Sequence, residues 1–294
     1  MRYVPLYPKG QTAVSGFGFW GRVSLELGQQ WGQQAMAPLG QTWRWGQRLG
    51  STLLLWGQVT VHLLRGRVHR RNLVAQLAIV GPESLLVVVL TGLFVGMVFT
   101  IQVAREFVRF GSGNLVGGVL ALALVRELAP VLTAVIVAGR VGAAFAAELG
   151  TMQVTEQIDA LYMLKTDPVD YLVLPRVLAC MLMVPLLTVV ALVVGIGGGV
   201  LIANRMYNLS ISQFLDSVQQ FMEAADMFKA LVKGGMFGML VATIGCGWGL
   251  TTTGGAKGVG QSTTAAVVTG LLAIFIADFF LSWLMFGGVG TALG

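Results

Sequence analysis

RELAPVLTAVIVAGRVGAAFAAELGTMQVTEQIDALYMLKTDPVDYLVLPR, residues 126–176, decides the fold, because its two halves obey different physical rules. Leu128 to Ala147 is apolar and rich in small residues, interrupted by a single arginine, Arg140. Glu148 to Asp170 is polar and acidic, yet keeps an apolar residue every three or four positions. The pattern predicts a membrane-embedded helix running straight into a short amphipathic helix in water. That second helix is too polar to span and too regular for a loop. The stretch points to a membrane protein that holds a helix out in water, where a partner could act on it.

The totals agree with a polytopic membrane protein. Of 294 residues 55% are hydrophobic and 11% charged, where a soluble domain carries about 25% charged residues. The mean hydropathy is +0.78. The net charge of +6 raises nucleic acid as a partner, but nine of the 19 Lys and Arg precede position 72. They lie beside tryptophans and ahead of the first apolar span, which points to an anionic membrane surface instead. Cys180 and Cys246 both fall in apolar stretches, with neither a disulfide framework nor a metal site around them. A cleavable signal peptide is not expected, since residues 1–50 lack a compact apolar core.

Outward from the deciding stretch, residues 1–47 are a low-complexity segment of Gly, Gln and Trp. Gly16-Phe-Gly18-Phe-Trp-Gly21 matches a dinucleotide fingerprint in letters only, with no βαβ context to hold it. Residues 48–71 have apolar positions at helical spacing and flanking arginines, which predicts an amphipathic helix lying in the membrane interface, the alternative being one packed in water against the chain's own body. Five spans follow: 84–104, 115–147, a third from Asp167-Pro168 to about 203, 228–250 and 264–286. Gly92 and Gly96 form a GxxxG pair suited to close helix approach. Residues 204–227 are polar, with Phe214, Val218, Phe221 and Met222 on one face. The basic N-terminal region places the N-terminus and residues 148–170 in the cytoplasm and the C-terminus on the other side.

Charges inside a membrane are expensive and mark sites or structural pairs. Arg126 and Glu127 point about 100° apart on one helix and cannot pair neatly there, so one or both should meet another helix, a second subunit or a lipid headgroup. Lys233 is a candidate to join them, either around a lipid phosphate or as a structural pair between helices. Arg140 and Glu148 read as snorkelling charges or a local ion pair, and Asp278 as a hydrogen-bonding partner of a Ser or Thr on a neighbouring helix. In residues 150–165, Val154, Ile158, Leu161 and Tyr162 form a stripe for docking either the chain's own body or a cytoplasmic partner. Thr251 to Gly258 lacks the spacing of a phosphate-binding loop, so any ATP would be hydrolysed by a separate chain.

VRELAPVLTAVIVAGRVGAAFAAELGTMQVTEQIDAL, followed by DPVDYLVLPR, closely resembles the MlaE family of ABC permeases, which move lipid together with MCE-domain proteins. GLFVGMVFTIQ and the GAKGVGQSTT…ADFFLSWLMF ending extend the likeness over residues 72–286, and the first span looks most like the cyanobacterial and plastid branch. The resemblance implies an all-α integral membrane protein with five transmembrane helices, an interfacial N-terminal helix and a cytoplasmic coupling helix. It implies a homodimer in a bacterial inner membrane, an ABC ATPase subunit, an MCE-domain protein and a phospholipid or related lipid as cargo. By motif position, Arg126, Glu127, Lys233, Gln102, Val98, Phe99 and Leu128 would line the lipid cavity. Glu148, Met152, Val154, Glu156, Ile158, Leu161 and Tyr162 would couple to the ATPase, and this chain itself would bind no cofactor. An ion-coupled carrier using Glu127 and Asp278, or a scaffold that recruits a partner through the same helix, are the competing classes.

Overall fold

The computed structural model describes residue 57 and residues 70–286. The low-complexity segment, the Gly16–Gly21 run and nearly all of the interfacial helix expected at 48–71 lie outside the described residues. Within them the chain is helical, and five helices are long and apolar enough to cross a membrane. In chain order the elements are α1 (Arg70–Val80), α2 (Pro82–Arg109), α3 (Gly113–Val154), α4 (Gln157–Met163), α5 (Val169–Tyr207), α6 (Ile211–Phe221), α7 (Ala224–Leu250) and α8 (Gly255–Phe286).

The spans outrun the apolar stretches from which they were read. α3 has 42 residues, roughly 63 Å at ~1.5 Å per residue, against a hydrocarbon core of about 30 Å. It continues past Ala147 because nothing in Glu148–Val154 breaks a helix, and Thr151 and Thr155 satisfy their hydroxyls on carbonyls one turn back. The chain turns only at Glu156, which adopts a left-handed φ of 60°. The separate amphipathic helix is therefore α4 alone, seven residues long, and Glu148, Met152 and Val154 belong to α3. α8 likewise begins at Gly255, earlier than the apolar run suggested, after Gly254 turns the chain at φ 90°. The helix start read at Asp167-Pro168 is present: the Val169 N–H donates to Asp167 Oδ1 at 2.9 Å. α1 had no counterpart in the sequence reading. Gly81 and Pro82 separate it from α2.

Small residues set the packing. A Cβ on Gly92 would stand 3.0 Å from the Ala191 carbonyl oxygen, and one on Gly96 only 2.0 Å from that of Gly195, so the GxxxG pair brings α2 against α5 backbone to backbone. Gly238 meets the Cys180 carbonyl oxygen in the same way at 2.4 Å, joining α7 to α5, and Gly245 meets that of Gly142 at 2.7 Å, joining α7 to α3. Gly139 makes no such contact, since nothing stands within 4 Å of its Cβ position. Gly96→Ala is accordingly expected to lower the melting temperature of the detergent-purified chain by several degrees, because backbone cannot yield as a side chain does. Gly139→Ala is expected to be neutral or slightly stabilising. Equal melting temperatures for the two variants would contradict this packing. α6 lies along the start of α3, burying Phe214 and Val218 and accepting the Gly118 N–H on Ser217 Oγ at 3.0 Å.

Candidate functional site

Residues 124–128 of α3 form a π-helical turn, a feature often found at functional positions. The extra residue widens the helix just where Arg126, Glu127 and Leu128 need to face different neighbours. Arg126 grips Asp226 with both arms of its guanidinium, Nε to Oδ1 at 3.2 Å and Nη2 to Oδ2 at 3.0 Å. Asp226 is buried in the first turn of α7, where the helix dipole also favours a carboxylate.

Lys233 lies seven residues further along α7 on the same face and is fully buried. A bare ammonium there would be untenable, so its partners decide whether the site can exist. Its Nζ donates to Glu127 Oε2 at 3.1 Å, Asp278 Oδ1 at 2.9 Å, Ser282 Oγ at 2.7 Å and the Arg126 carbonyl at 2.9 Å. The Ser282 hydroxyl in turn donates a hydrogen bond to Glu127 Oε1 at 2.8 Å. One lysine thus ties α3, α7 and α8 together through a closed set of hydrogen bonds.

The Arg126 carbonyl is available for a reason written in the sequence. Four residues on stands Pro130, which has no N–H to return to it. Lys233 supplies the donor that proline withholds. Pro130→Ala adds a competing donor, and a double-mutant cycle of Pro130→Ala with Lys233→Met is expected to show a coupling of at least ~0.5 kcal/mol. Strict additivity would break the proposed link.

Beside the network lies an apolar groove of about 280 Å³, lined by Phe94, Val95, Val98, Phe99, Gln102 and Leu128. Gln102 is the polar residue in that wall. Leu128 comes from the same π turn as Arg126 and Glu127, so a single turn feeds both the charges and the groove. The structure therefore gathers the seven residues read as a lipid site into two adjoining parts: Arg126, Glu127 and Lys233 in the network, and Val98, Phe99, Gln102 and Leu128 in the groove. The combination suits a molecule with a polar head and an apolar body.

Sequence reasoning missed Asp226, Ser282, Phe286 and Lys229. The spacing of Asp226, Lys229 and Lys233 (i, i+3, i+7) places all three on one helix face, and that signal was available. Asp278 meets Lys233 itself, a stronger partner than the hydroxyl expected for it. The ring of Phe286 lies beneath three cations, 4.5 Å from Lys229 Nζ, 5.0 Å from Arg126 Cζ and 5.7 Å from Lys233 Nζ.

Nearer the α4 end, the other α3 charges pair across helices. Arg140 binds Glu83, donates to Ser84 Oγ at 2.8 Å and reaches the Ile79 carbonyl at 3.3 Å, fastening the α1–α2 elbow. Glu148 accepts from Arg176 of α5 at 2.8 Å. On α4 the expected stripe is divided. Ile158 is buried, and Val154 and Leu161 are half-buried against the chain's own body. Glu156, at the turn, is exposed, and Met152 is half-buried. Tyr162 is 60% exposed, and Met163 at 87% and Leu164 at 74% continue an apolar tip that the stripe had not included.

Known proteins place this architecture. A family model described as Permease MlaE matches residues 73–284. A probable ABC transporter permease protein of Synechocystis, slr1045, is 62% identical over 251 residues, covering 85% of this chain and 95% of its own length. The chloroplastic protein TRIGALACTOSYLDIACYLGLYCEROL 1 of Arabidopsis thaliana is 51% identical over 83% of this chain and 69% of its own length. A probable ABC transporter permease protein of Pyropia yezoensis, ycf63, is 46% identical over 85% and 95% respectively. With five spanning helices and relatives of this kind from a cyanobacterium and from plastid lineages, the chain belongs to the MlaE permease family, in its cyanobacterial and plastid branch.

Proposed function

We propose that the chain is the permease subunit of an ABC transporter that moves a phospholipid or related lipid between its membrane and an MCE-domain partner. A separate ATPase subunit supplies the energy, and two permease copies assemble around the lipid path. The observation that carries this reading is the junction at the π turn of α3, where an ionic network and an apolar groove share consecutive residues. A lipid would lay an acyl chain along Phe94, Val98 and Leu128 and bring its headgroup to Arg126 and Lys233. No bond is made or broken in this chain. The work is conformational.

In this reading α4 lies in the cytoplasm and its Tyr162–Leu164 tip enters the ATPase, while the α6 end faces the MCE protein across a bacterial inner membrane. Movement of α4 passes into α3, which continues unbroken from Val154 to the network. The test is gentle purification of the tagged chain in detergent, with proteins and lipids both identified by mass spectrometry. An ATPase, an MCE-domain protein and stoichiometric lipid are the expected companions. Recovery without an ATPase, even after crosslinking, would overturn the reading.

One observation favours a second reading. Glu127 and Asp278 both bind Lys233, as two proton sites of an ion-coupled carrier would. Lipid movement that persists without ATP and follows a pH gradient would select it. In the ABC reading, Glu127→Ala is expected to reduce lipid-stimulated ATPase activity several-fold while the complex still assembles, and an unchanged stimulation would remove Glu127 from the mechanism.

A further inference from the structure

The charges around Lys233 do not pair evenly. Arg126 has Asp226, and Lys233 has Glu127 and Asp278. Lys229 has only the Phe286 ring, 4.5 Å away. It is one turn ahead of Lys233 on the same face of α7 and is half-buried, so its ammonium is directed along the network. Its three N–H donors have no acceptor among the described residues. Arg126 shares the same ring, its Cζ 5.0 Å from the centroid, and its side chain is 41% exposed. Two cations thus share one aromatic ring at the α6 end of the network, and one of them has no counter-anion.

We propose that Lys229, together with the exposed edge of Arg126, is an anion subsite that makes the permease prefer lipids with a negatively charged headgroup. This deepens the lipid reading above and rests on it. Lys233 cannot serve as that subsite unaided, because its donors are already committed to two carboxylates, a serine and a carbonyl. Lys229 can accept a headgroup oxyanion without breaking any existing bond. The Phe286 ring holds the ammonium in place and keeps part of its water away, which strengthens its attraction for an anion. A zwitterionic headgroup also carries a phosphate oxyanion, but its own ammonium offsets part of that attraction, so Lys229 favours the lipid with net negative charge and acts on selectivity more than on overall lipid occupancy.

The test uses the full chain, purified with its partners and equilibrated with mixed micelles holding phosphatidylglycerol and phosphatidylcholine in equal amounts. The lipid retained after washing is counted by mass spectrometry. The wild type is expected to enrich phosphatidylglycerol. Lys229→Gln is expected to lower the phosphatidylglycerol to phosphatidylcholine ratio at least threefold, and Lys229→Arg to keep it. Lys257→Gln, an exposed cation near the start of α8, is expected to leave the ratio unchanged. A wild type without preference, an unaltered ratio in Lys229→Gln, or equal losses in the Gln and Arg variants would overturn the inference and leave lipid transport standing. Retention of no lipid by the wild type would overturn lipid transport itself. Should Lys229→Gln fail to fold, Lys229→Met keeps the stem over the Phe286 ring and answers the same question.

Discussion

Lys233→Met is expected to cost the purified permease about 3–5 kcal/mol of stability, the usual penalty for removing one partner of a buried ion pair. The lost cation leaves Glu127 and Asp278 facing each other with no charge between them, and it leaves the Arg126 carbonyl without a donor. Thermal unfolding in detergent, followed by circular dichroism, reads the effect as a lowered melting temperature. The diagnostic part is the rescue. Adding Glu127→Gln and Asp278→Asn to Lys233→Met removes the stranded charges, and stability is expected to recover substantially, because hydrogen-bonded neutral groups tolerate burial better than unpaired ions. A single variant that melts with the wild type, or a triple variant that is worse than the single, would show that the network does not hold α3, α7 and α8 together.

Met163→Glu is the second large effect. Met163 is the most exposed of the apolar side chains at the tip of α4, and the proposed role of that tip is to fill a pocket on the ATPase. Burying a carboxylate there without a partner is expected to weaken the complex at least 30-fold, or about 2 kcal/mol, in line with central interface positions. Co-purification of the ATPase at graded salt and detergent measures it. Gln157→Glu, at the exposed start of the same helix, places an acid on the polar side and is expected to leave the complex intact. If Met163→Glu retains the ATPase as the wild type does, α4 is not the docking element.

The membrane character of the chain was legible because hydrocarbon demands long uncharged runs, and Ser84–Ala104 has no charge at all. Span ends were less legible. A helix does not stop where hydropathy falls, and α3 continues through Glu148–Val154 until Glu156 turns it. The charged residues of the site were visible one at a time, as costly ions in apolar surroundings. Their partnerships were not, since Glu127 meets Lys233 from 106 positions away and Asp278 meets it from 45. The π turn was invisible too. Pro130 marks the Arg126 carbonyl as lacking a helical donor, but the donor that reaches it, Lys233, stands 107 positions away. On α4, periodicity identified an amphipathic helix but not which of its apolar residues the chain keeps for itself, and Ile158 proved to be an anchor.

The backbone contacts at Gly96, Gly238 and Gly245 divide the bundle mechanically. α2 with α5, α5 with α7, and α7 with the Gly142 region of α3 meet backbone to backbone at these glycines, and close-packed backbone has little room to adjust. The described glycines of α8 make no such seam with another helix: Gly258 closes on the Thr253 carbonyl of its own entry turn, the Cβ position of Gly260 is open, and that of Gly270 finds only the Ala138 methyl at 3.9 Å. Its attachment to α7 near the network is through the side chains of Asp278 and Ser282 on Lys233, and side chains can change rotamer while a backbone seam cannot. Lys233 is therefore the clasp that buttons α8 to the seamed body of the bundle beside the network.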